Sequence, residues 1–227
     1  MKIGIVVAMR SELEPFLRGK EVRVEKKGMF EVYVAFRGKD QLCAVLPANI
    51  GEICAAAATQ LLATAYGVDV IVNFGVVGAL KEEVGLMDAV LVESVVHYDM
   101  DVSALDGRPV GKYRFFDDVA FSTDARLLAE ARKIVPNMPV VRCASADKFV
   151  ADPAAKSALA ANFSADICDM ESAGILIAAK LNDLPVFMVK VVSDSLTGGA
   201  EEFETCVEKA AERFATLVDE LLERMKK

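Results

Sequence analysis

VDVIVNFGVVGAL, residues 68–80, is the stretch of sequence that decides the fold class. Its first half, Val68–Asn73, is a short run of β-branched residues, which is typical of a strand buried on both faces of a sheet. The run follows the Ala-rich stretch Gly51–Tyr66, which predicts a helix. A helix that leads directly into a buried strand indicates an α/β protein.

The same alternation continues along the chain in both directions. Five further β-branched runs predict interior strands: Lys2–Val7, Leu42–Leu46, Ala89–Val96, Pro139–Cys143 and Val186–Val192. Further helices are predicted at Asp124–Ile134 (with Thr123 as N-cap), Met170–Leu181 and Glu201–Met225. This order predicts an α/β fold in which helices flank a central mixed, mostly parallel β-sheet.

Two neighbouring β-rich runs, Val22–Lys26 and Phe30–Phe36, lie on either side of Gly28. Because glycine can supply a tight turn, the two runs predict an antiparallel hairpin added to the sheet. The chain contains no linker, internal repeat or low-complexity tract. We therefore expect residues 1–227 to form a single domain.

Composition limits the classes of function. The 227 residues are 54 % hydrophobic, which predicts a well-filled core, and 34 acidic against 26 basic residues give a formal charge of −8. Neither nucleic acid nor an anionic membrane is an expected partner, because both are bound by clustered Lys and Arg. No apolar run approaches the roughly 20 residues that span a bilayer, and the N-terminus lacks a signal-peptide pattern, so we expect a cytoplasmic protein.

The cysteines and the histidine argue against a metal site. The five cysteines are scattered and form no CxxC pair, which favours reduced thiols over zinc ligands or disulfides. They are Cys43, Cys54, Cys143, Cys168 and Cys206. With His97 as the single histidine, a histidine-rich metal centre is not expected. The same count argues against a serine triad, since no GxSxG motif accompanies the histidine.

Polar residues collect where the predicted strands end, which is where α/β sheets bind ligands. Asp194 directly follows the strand Val186–Val192, so its carboxyl is either a partly desolvated proton donor or the cap of the next segment. Glu171 begins a helix and either faces the helix dipole or accepts hydrogen bonds from vicinal sugar hydroxyls. Two further acidic residues, Glu12 and Glu14, follow the first predicted strand.

One of these two glutamates is a candidate general base and the other a solvated side chain, and we expect Pro15 to stop an easy continuation of regular structure there. The stretch Gly75–Gly78 is either a backbone turn that approaches a ligand or a plain strand-to-loop turn. It lacks the Lys-Ser/Thr of a P-loop and the third glycine of a dinucleotide fingerprint. No nucleotide cofactor is therefore indicated.

Seven segments, taken in order, resemble the nucleoside phosphorylase/nucleosidase superfamily over essentially the whole chain. Within it, they are most similar to the 5′-methylthioadenosine/S-adenosylhomocysteine nucleosidases. The segments are AMRSELEP (8–15), ANIGEICAA (48–56), DVIVNFGVVGAL (69–80), VVHYDMDVSAL (95–105), ASADKFV (144–150), DICDMESAGI (166–175) and VVSDS (191–195). The resemblance implies hydrolysis of the bond between adenine N9 and ribose C1′, through a cation-like transition state and without metal or organic cofactor.

The resemblance also assigns roles to single residues. Asp194 would protonate purine N7 with help from Ser193, Glu12 would activate the attacking water, and Glu171 with Met170 would bind the ribose. Phe149 would stack on adenine, and the backbone of Val150 would read its edge. Ile50, Met9 and Phe203 would line the ribose and 5′-substituent pocket, while Val102 and Leu105 would come from a neighbouring subunit, which implies a homodimer.

Hydrolysis is expected over phosphorolysis, because Asn73–Leu80 lacks the arginine with which related phosphorylases bind phosphate. Three positions depart from the nucleosidase pattern: Val76 replaces a serine, Lys190 an arginine, and the loop Asp106–Asp118 lacks a Gly-Gln-x-Pro-Gly motif. These departures keep three alternatives open. They are a nucleosidase with another 5′ substituent, such as a futalosine-type nucleoside, a purine nucleoside phosphorylase, and a non-catalytic nucleoside-binding relative.

Overall fold

A computed structural model describes residues 1–225 of the chain, so the last two residues of the expected 1–227 domain lie outside the described residues. The ten strands of the sheet are β1 (Lys2–Val6), β2 (Val22–Lys27), β3 (Phe30–Arg37), β4 (Asp40–Leu46), β5 (Val70–Ala79), β6 (Ala89–His97), β7 (Ala120–Ser122), β8 (Val140–Ser145), β9 (Ile167–Asp169) and β10 (Val186–Asp194).

Helices follow most of the strands, although β2, β3 and β4 succeed one another directly, as do β5 and β6. The helices are α1 (Arg10–Leu17), α2 (Glu52–Leu61), α3 (Ser103–Asp106), α4 (Ala125–Ile134), α5 (Pro153–Phe163), α6 (Ser172–Lys180) and α7 (Ala200–Arg224). A π-helical turn, Leu62–Tyr66, continues α2 and ends at Gly67, which adopts the left-handed conformation. None of the helices in residues 1–225 combines the length and the apolar character needed to cross a membrane.

The sheet is mixed, and part of it closes on itself. β5 pairs in parallel with β1 and β10, and β6 and β9 each pair in parallel with β8. Antiparallel pairings of β10 with β6 and of β5 with β9 complete a ring of five strands. From this ring the sheet extends through β1 to β4, β3 and β2, and β2 and β3 form the predicted antiparallel hairpin.

Apolar side chains cover both faces of the extended sheet. On one face, α1 packs against α7, and α7 lies on β10 and β5. Phe74 of β5 lies between Phe16 and Phe214, with ring centroids 5.2 and 5.0 Å apart. On the other face, α2 packs against α6. Full burial of each aromatic ring contributes about 1.5–3 kcal/mol. This packing fixes α1, and thereby Glu12, relative to β5.

Three expectations about local structure are wrong. Gly75–Gly78 is not a turn, because β5 continues through it to Ala79 and pairs with β10 up to Gly78. Pro15 does not stop the regular structure, since it lies inside α1 as the sixth residue, two residues before the helix ends, at the cost of one helical N–H donor. The N-cap of α4 is Asp124, whose side chain accepts from the Leu127 N–H, whereas Thr123 donates its hydroxyl proton to carbonyl oxygens of β6.

Candidate active site

A cleft lined by fifteen residues opens where β5, β9 and β10 end and α1 begins. Nine of its lining residues were singled out from the sequence: Met9, Glu12, Ile50, Phe149, Met170, Glu171, Ser193, Asp194 and Phe203. These residues come from segments that are far apart in the chain. The fold therefore brings together the candidate acid, the candidate base and the candidate sugar-binding carboxylate.

Glu12 is held at the cleft by backbone amides. Its side chain is 2 % exposed and accepts hydrogen bonds from the N–H groups of Ala8, Met9 and Val76 at 3.2, 3.0 and 3.0 Å. Burial raises the pKa of the Glu12 carboxyl above its usual range, although the Val76 N–H opposes this shift. A carboxylate that is oriented in this way and readily takes up a proton fits the role of a general base.

Asp194 is held by side chains instead. It is 2 % exposed, and its Oδ1 accepts a hydrogen bond from the Ser193 hydroxyl at 3.0 Å. Its Oδ2 lies 2.6 Å from the Nζ of Lys156, a lysine on α5 that is completely buried. Asp194 does not cap the following helix, because the N-cap of α7 is Gly199 and no side chain caps that helix.

Glu171 lies at the N-terminus of α6 and accepts a hydrogen bond from the Gly51 N–H at 2.9 Å. Burial and the neighbouring Asp169 raise the pKa of its carboxyl to about 7, while Lys190 lowers it. The group can therefore gain or lose its charge near neutral pH. The Glu171 side chain makes no cap hydrogen bond to α6. Its carboxyl group lines the cleft instead.

Lys190, one of the three departures, forms a buried ion pair with Asp169 at 2.8 Å. Burial lowers the pKa of Lys190, but the Asp169 charge outweighs this and the net shift is upward. Burial raises the pKa of Asp169, but the Lys190 ammonium lowers it by more, so the net shift is downward. Both residues therefore stay charged, and Ser172 completes the network by donating its backbone N–H and its hydroxyl to Asp169.

Two glycines of β5 make room for the two principal carboxyl groups. A Cβ atom on Gly75 would lie 2.7 Å from Glu12 Oε1, and one on Gly78 would lie 2.8 Å from Asp194 Oδ2. Three residues along a strand span roughly 10 Å. The two carboxyl groups thus approach β5 at two separate points, and each occupies the space of a missing side chain.

Aromatic and apolar residues form the rest of the lining. Phe149, which is 43 % exposed, meets Phe203 edge-on with ring centroids 5.6 Å apart. Val150 does not line the cleft, since its side chain is buried in a separate apolar cluster, and its predicted backbone role stays a prediction. Val102 and Leu105 also lie outside the lining, and Leu105 is 86 % exposed, so their predicted role in a neighbouring subunit's pocket stays a prediction as well.

Sequence reasoning missed Lys156, because α5 was not predicted. Two signals were available: Asp152 followed by Pro153 is a strong helix start, and the Asp152 side chain does cap α5. Lys156 is also the one charged residue in PAAKSALAANF, where a solvent-exposed helix face would carry several. Among the described residues, no group of three or more His, Cys, Asp or Glu side chains could hold a metal ion.

The sequence model of the Phosphorylase superfamily matches residues 2–223. The chain belongs to this superfamily. A 5′-methylthioadenosine/S-adenosylhomocysteine nucleosidase of Shewanella pealeana is 30 % identical over 234 residues, which cover 99 % of this chain and 100 % of the relative. An aminodeoxyfutalosine nucleosidase of Campylobacter jejuni is 25 % identical and covers 99 % of this chain and 100 % of its own length.

Solved structures agree with the sequence relatives. The crystal structure of a Helicobacter pylori 5′-methylthioadenosine/S-adenosyl homocysteine nucleosidase superposes with a TM-score of 0.93 at 25 % identity, covering 98 % of both chains. That protein is complexed with a pyrrolidinol that carries an aminopyrrolopyrimidine group. These relatives confirm the predicted superfamily, the α/β fold and the expectation of an N-ribosyl hydrolase.

Proposed function

We propose that the protein hydrolyses the N-glycosidic bond of a 5′-substituted adenine nucleoside of the methylthioadenosine or adenosylhomocysteine type. The observation that carries this proposal is the convergence of Glu12, Glu171 and Asp194 on one cleft. Cleavage of a purine riboside needs an acid for the leaving base, a base for water and a holder for the sugar. Each carboxyl group has surroundings suited to one of these tasks.

In this mechanism, the bond between C1′ and N9 breaks and its electron pair stays with the purine. Asp194 donates a proton to N7, so that adenine leaves as a neutral molecule, and Ser193 keeps the Asp194 carboxyl oriented. Glu171 accepts hydrogen bonds from the ribose hydroxyls, with Met170 against the sugar. Glu12 takes a proton from the water that attacks C1′, and its three amide contacts fix the direction of attack.

Phe149 would stack on the adenine ring, and the backbone of Val150 would bind its edge. Ile50, Met9 and Phe203 would surround the ribose and the 5′ substituent, with Val102 and Leu105 of a second subunit completing the pocket in a homodimer. The reaction would belong to purine nucleoside metabolism and methionine salvage in the cytoplasm. The apolar lining at the mouth of the cleft supports a thioether-bearing substituent.

Water is the proposed nucleophile, not phosphate. A phosphate dianion at C1′ needs cationic side chains, most often arginine. Among the described residues, no arginine lines the cleft, and the two buried lysines nearby are already paired with Asp169 and Asp194. The side chain of Val76 offers no hydrogen bond to the water, so the proposal assigns the positioning of the water to Glu12.

A second candidate is a nucleosidase that acts on a futalosine-type nucleoside. Its support is the similarity of the chain to the aminodeoxyfutalosine nucleosidase of Campylobacter jejuni, which is 25 % identical over nearly the whole chain. The two candidates share the chemistry at C1′ and differ at the 5′ position.

The test is incubation of the purified protein with methylthioadenosine, adenosylhomocysteine or aminodeoxyfutalosine in phosphate-free buffer, followed by chromatography of free adenine. We expect adenine from the sulfur nucleosides without phosphate. Release from aminodeoxyfutalosine at a much higher kcat/KM would replace the first candidate by the second. Release that requires phosphate would make the protein a phosphorylase, and no release from any purine nucleoside would make it a binding protein.

A further inference from the structure

Lys156 has an environment that is unusual for a lysine. Its side chain is 0 % exposed, and it is the one charged residue of α5. Lysine is almost never fully buried unless it is paired, because removing an ammonium from water costs far more than burying an apolar chain. Such a residue calls for a specific use of its charge or its protons.

All three protons of the ammonium group have acceptors. Nζ lies 2.6 Å from Asp194 Oδ2, 2.5 Å from the Ser195 carbonyl oxygen and 3.0 Å from the Gly198 carbonyl oxygen. Three donors matched by three acceptors leave no contact to water. Lys156 is therefore fixed in place, and its one contact with a titratable group is Asp194.

Asp194 has two polar side-chain partners among the described residues, and they differ in what they can give. The Ser193 hydroxyl orients Oδ1 at 3.0 Å, but a serine proton is not transferable near neutral pH. The Lys156 ammonium carries a proton that points at Oδ2. After such a transfer, the neutral amine would still donate its two remaining protons to the Ser195 and Gly198 carbonyl oxygens, and its lone pair would face the protonated Oδ2.

We propose that Lys156 supplies the proton that Asp194 delivers to the purine. This inference rests on the proposed nucleosidase function. A proton moves from Nζ to Oδ2, which leaves a neutral amine and a carboxylic acid. The acid transfers a proton to N7 as the bond between C1′ and N9 breaks, and Asp194 returns to a carboxylate. The proton that Glu12 takes from water passes to solvent, and after adenine has left, a proton from the cleft returns to Lys156 through Asp194, so each turnover consumes one nucleoside and one water. Lys156 is thus a positioning residue that acts through Asp194.

Two substrates separate proton supply from structural support. Methylthioadenosine needs a proton on its leaving group, whereas a 5′-methylthio riboside of 4-nitrophenol does not, because nitrophenolate leaves as a stable anion. The variants are Lys156→Met, which removes charge and protons, and Lys156→Arg, which keeps the charge but cannot give up a proton. The control is Lys133→Met, an exposed lysine of α4 paired with Glu130. Circular dichroism and thermal unfolding accompany every variant.

For Lys156→Met we expect kcat for methylthioadenosine to fall about 100-fold, with KM within about 3-fold and the nitrophenyl riboside cleaved at the wild-type rate. Lys156→Arg, which keeps a cation next to Asp194, is expected to remain at least about 10-fold slower on methylthioadenosine. Parallel losses on both substrates, wild-type kinetics in Lys156→Met, or full rescue by arginine would each overturn the proposal. If Lys156→Met does not fold, the arginine variant decides alone. A wild-type protein that releases no adenine would overturn the nucleosidase function itself, and with it this inference.

Discussion

Glu12 and Asp194 are both 2 % exposed and line the same cleft, yet they are held by different kinds of partner. Glu12 accepts from three backbone amides, which are fixed dipoles that keep their protons. Asp194 contacts a serine hydroxyl and a buried ammonium group, from which we propose that it receives its proton. The difference teaches that backbone partners suit a carboxylate that must receive a proton in a fixed direction, whereas a lysine partner suits one that must give a proton away.

The largest loss of activity is expected from substitution of Asp194, the carboxyl group next to Lys156. Asp194→Asn should lower kcat for methylthioadenosine by at least about 1000-fold, because the amide cannot protonate N7, while the Kd of the nucleoside stays within a few-fold. Steady-state kinetics and calorimetric binding measure the two quantities. Asp124→Asn is the matched control, since asparagine caps a helix as well as aspartate does. Normal turnover by Asp194→Asn would remove the acid assignment.

For the carboxyl group held by backbone amides, Glu12→Gln should lower kcat about 100-fold, because the side chain no longer accepts a proton from water. The amide NH₂ would also face a backbone donor, so the melting temperature should fall. The control is Glu14→Gln, two residues away and 65 % exposed, which should keep wild-type kinetics. If Glu14→Gln were the slower enzyme, the general base would be the wrong glutamate.

The two glycines of β5 allow a geometric test of the same comparison. Gly75→Ala should displace Glu12, and Gly78→Ala should displace Asp194, each lowering kcat about 10-fold or more through misplacement of the carboxyl group. Combining each alanine with the substitution of its own carboxyl group should cause little further loss, because both changes remove one function. Full additivity in these double variants would show that the glycines act elsewhere.

Glu171 should make substrate binding depend on pH. Its pKa of about 7 means that the carboxylate that accepts the ribose hydroxyls is lost as the pH falls. We expect the Kd of methylthioadenosine, measured in the inactive Asp194→Asn protein, to rise about tenfold between pH 8 and pH 6. Adding Glu171→Gln should flatten this dependence. A profile that is unchanged by the glutamine would assign the titration to another group.

The smallest effect on activity is expected at Glu52, a buried carboxyl that does not line the cleft. Burial and nearby acidic residues raise its pKa to about 8, although the Ser145 hydroxyl opposes this. Because the folded pKa exceeds the unfolded value of 4.5, the stabilisation is complete below that value and is lost as the pH rises to 8. The melting temperature of the wild type relative to Glu52→Gln should therefore fall by roughly 10 °C between pH 5 and pH 8, with kcat unchanged in Glu52→Gln. A constant difference would contradict the shift.

Residue patterns predicted most strands correctly. Short or non-amphipathic elements, and glycines within a strand, limited the prediction of the other elements. The interior strands and the hairpin carry dense β-branched runs, so their positions follow from composition, and α7 follows from its apolar spacing. The strands β7 and β9 and the helices α1, α3 and α5 were missed, because β7 and β9 have three residues each, α1 and α3 are short, and α5 lacks an amphipathic pattern. Gly75–Gly78 was interpreted as a turn, since glycine in a strand usually marks a break. Here the glycines are needed because carboxyl groups occupy the space of two side chains.

The sequence by itself determined the alternating fold, the absence of a nucleotide-binding fingerprint and the three acidic residues at strand ends, because these are properties of local pattern and charge. The residue pattern left Glu12 and Glu14 open and the family resemblance pointed to Glu12. The tertiary structure places Glu12 in the cleft, and it alone decided that Lys156 is the partner of Asp194. The reason is physical. Whether a carboxyl group is desolvated, and which donor meets it, depends on segments that are distant in the chain and that only sheet closure and helix packing bring into contact.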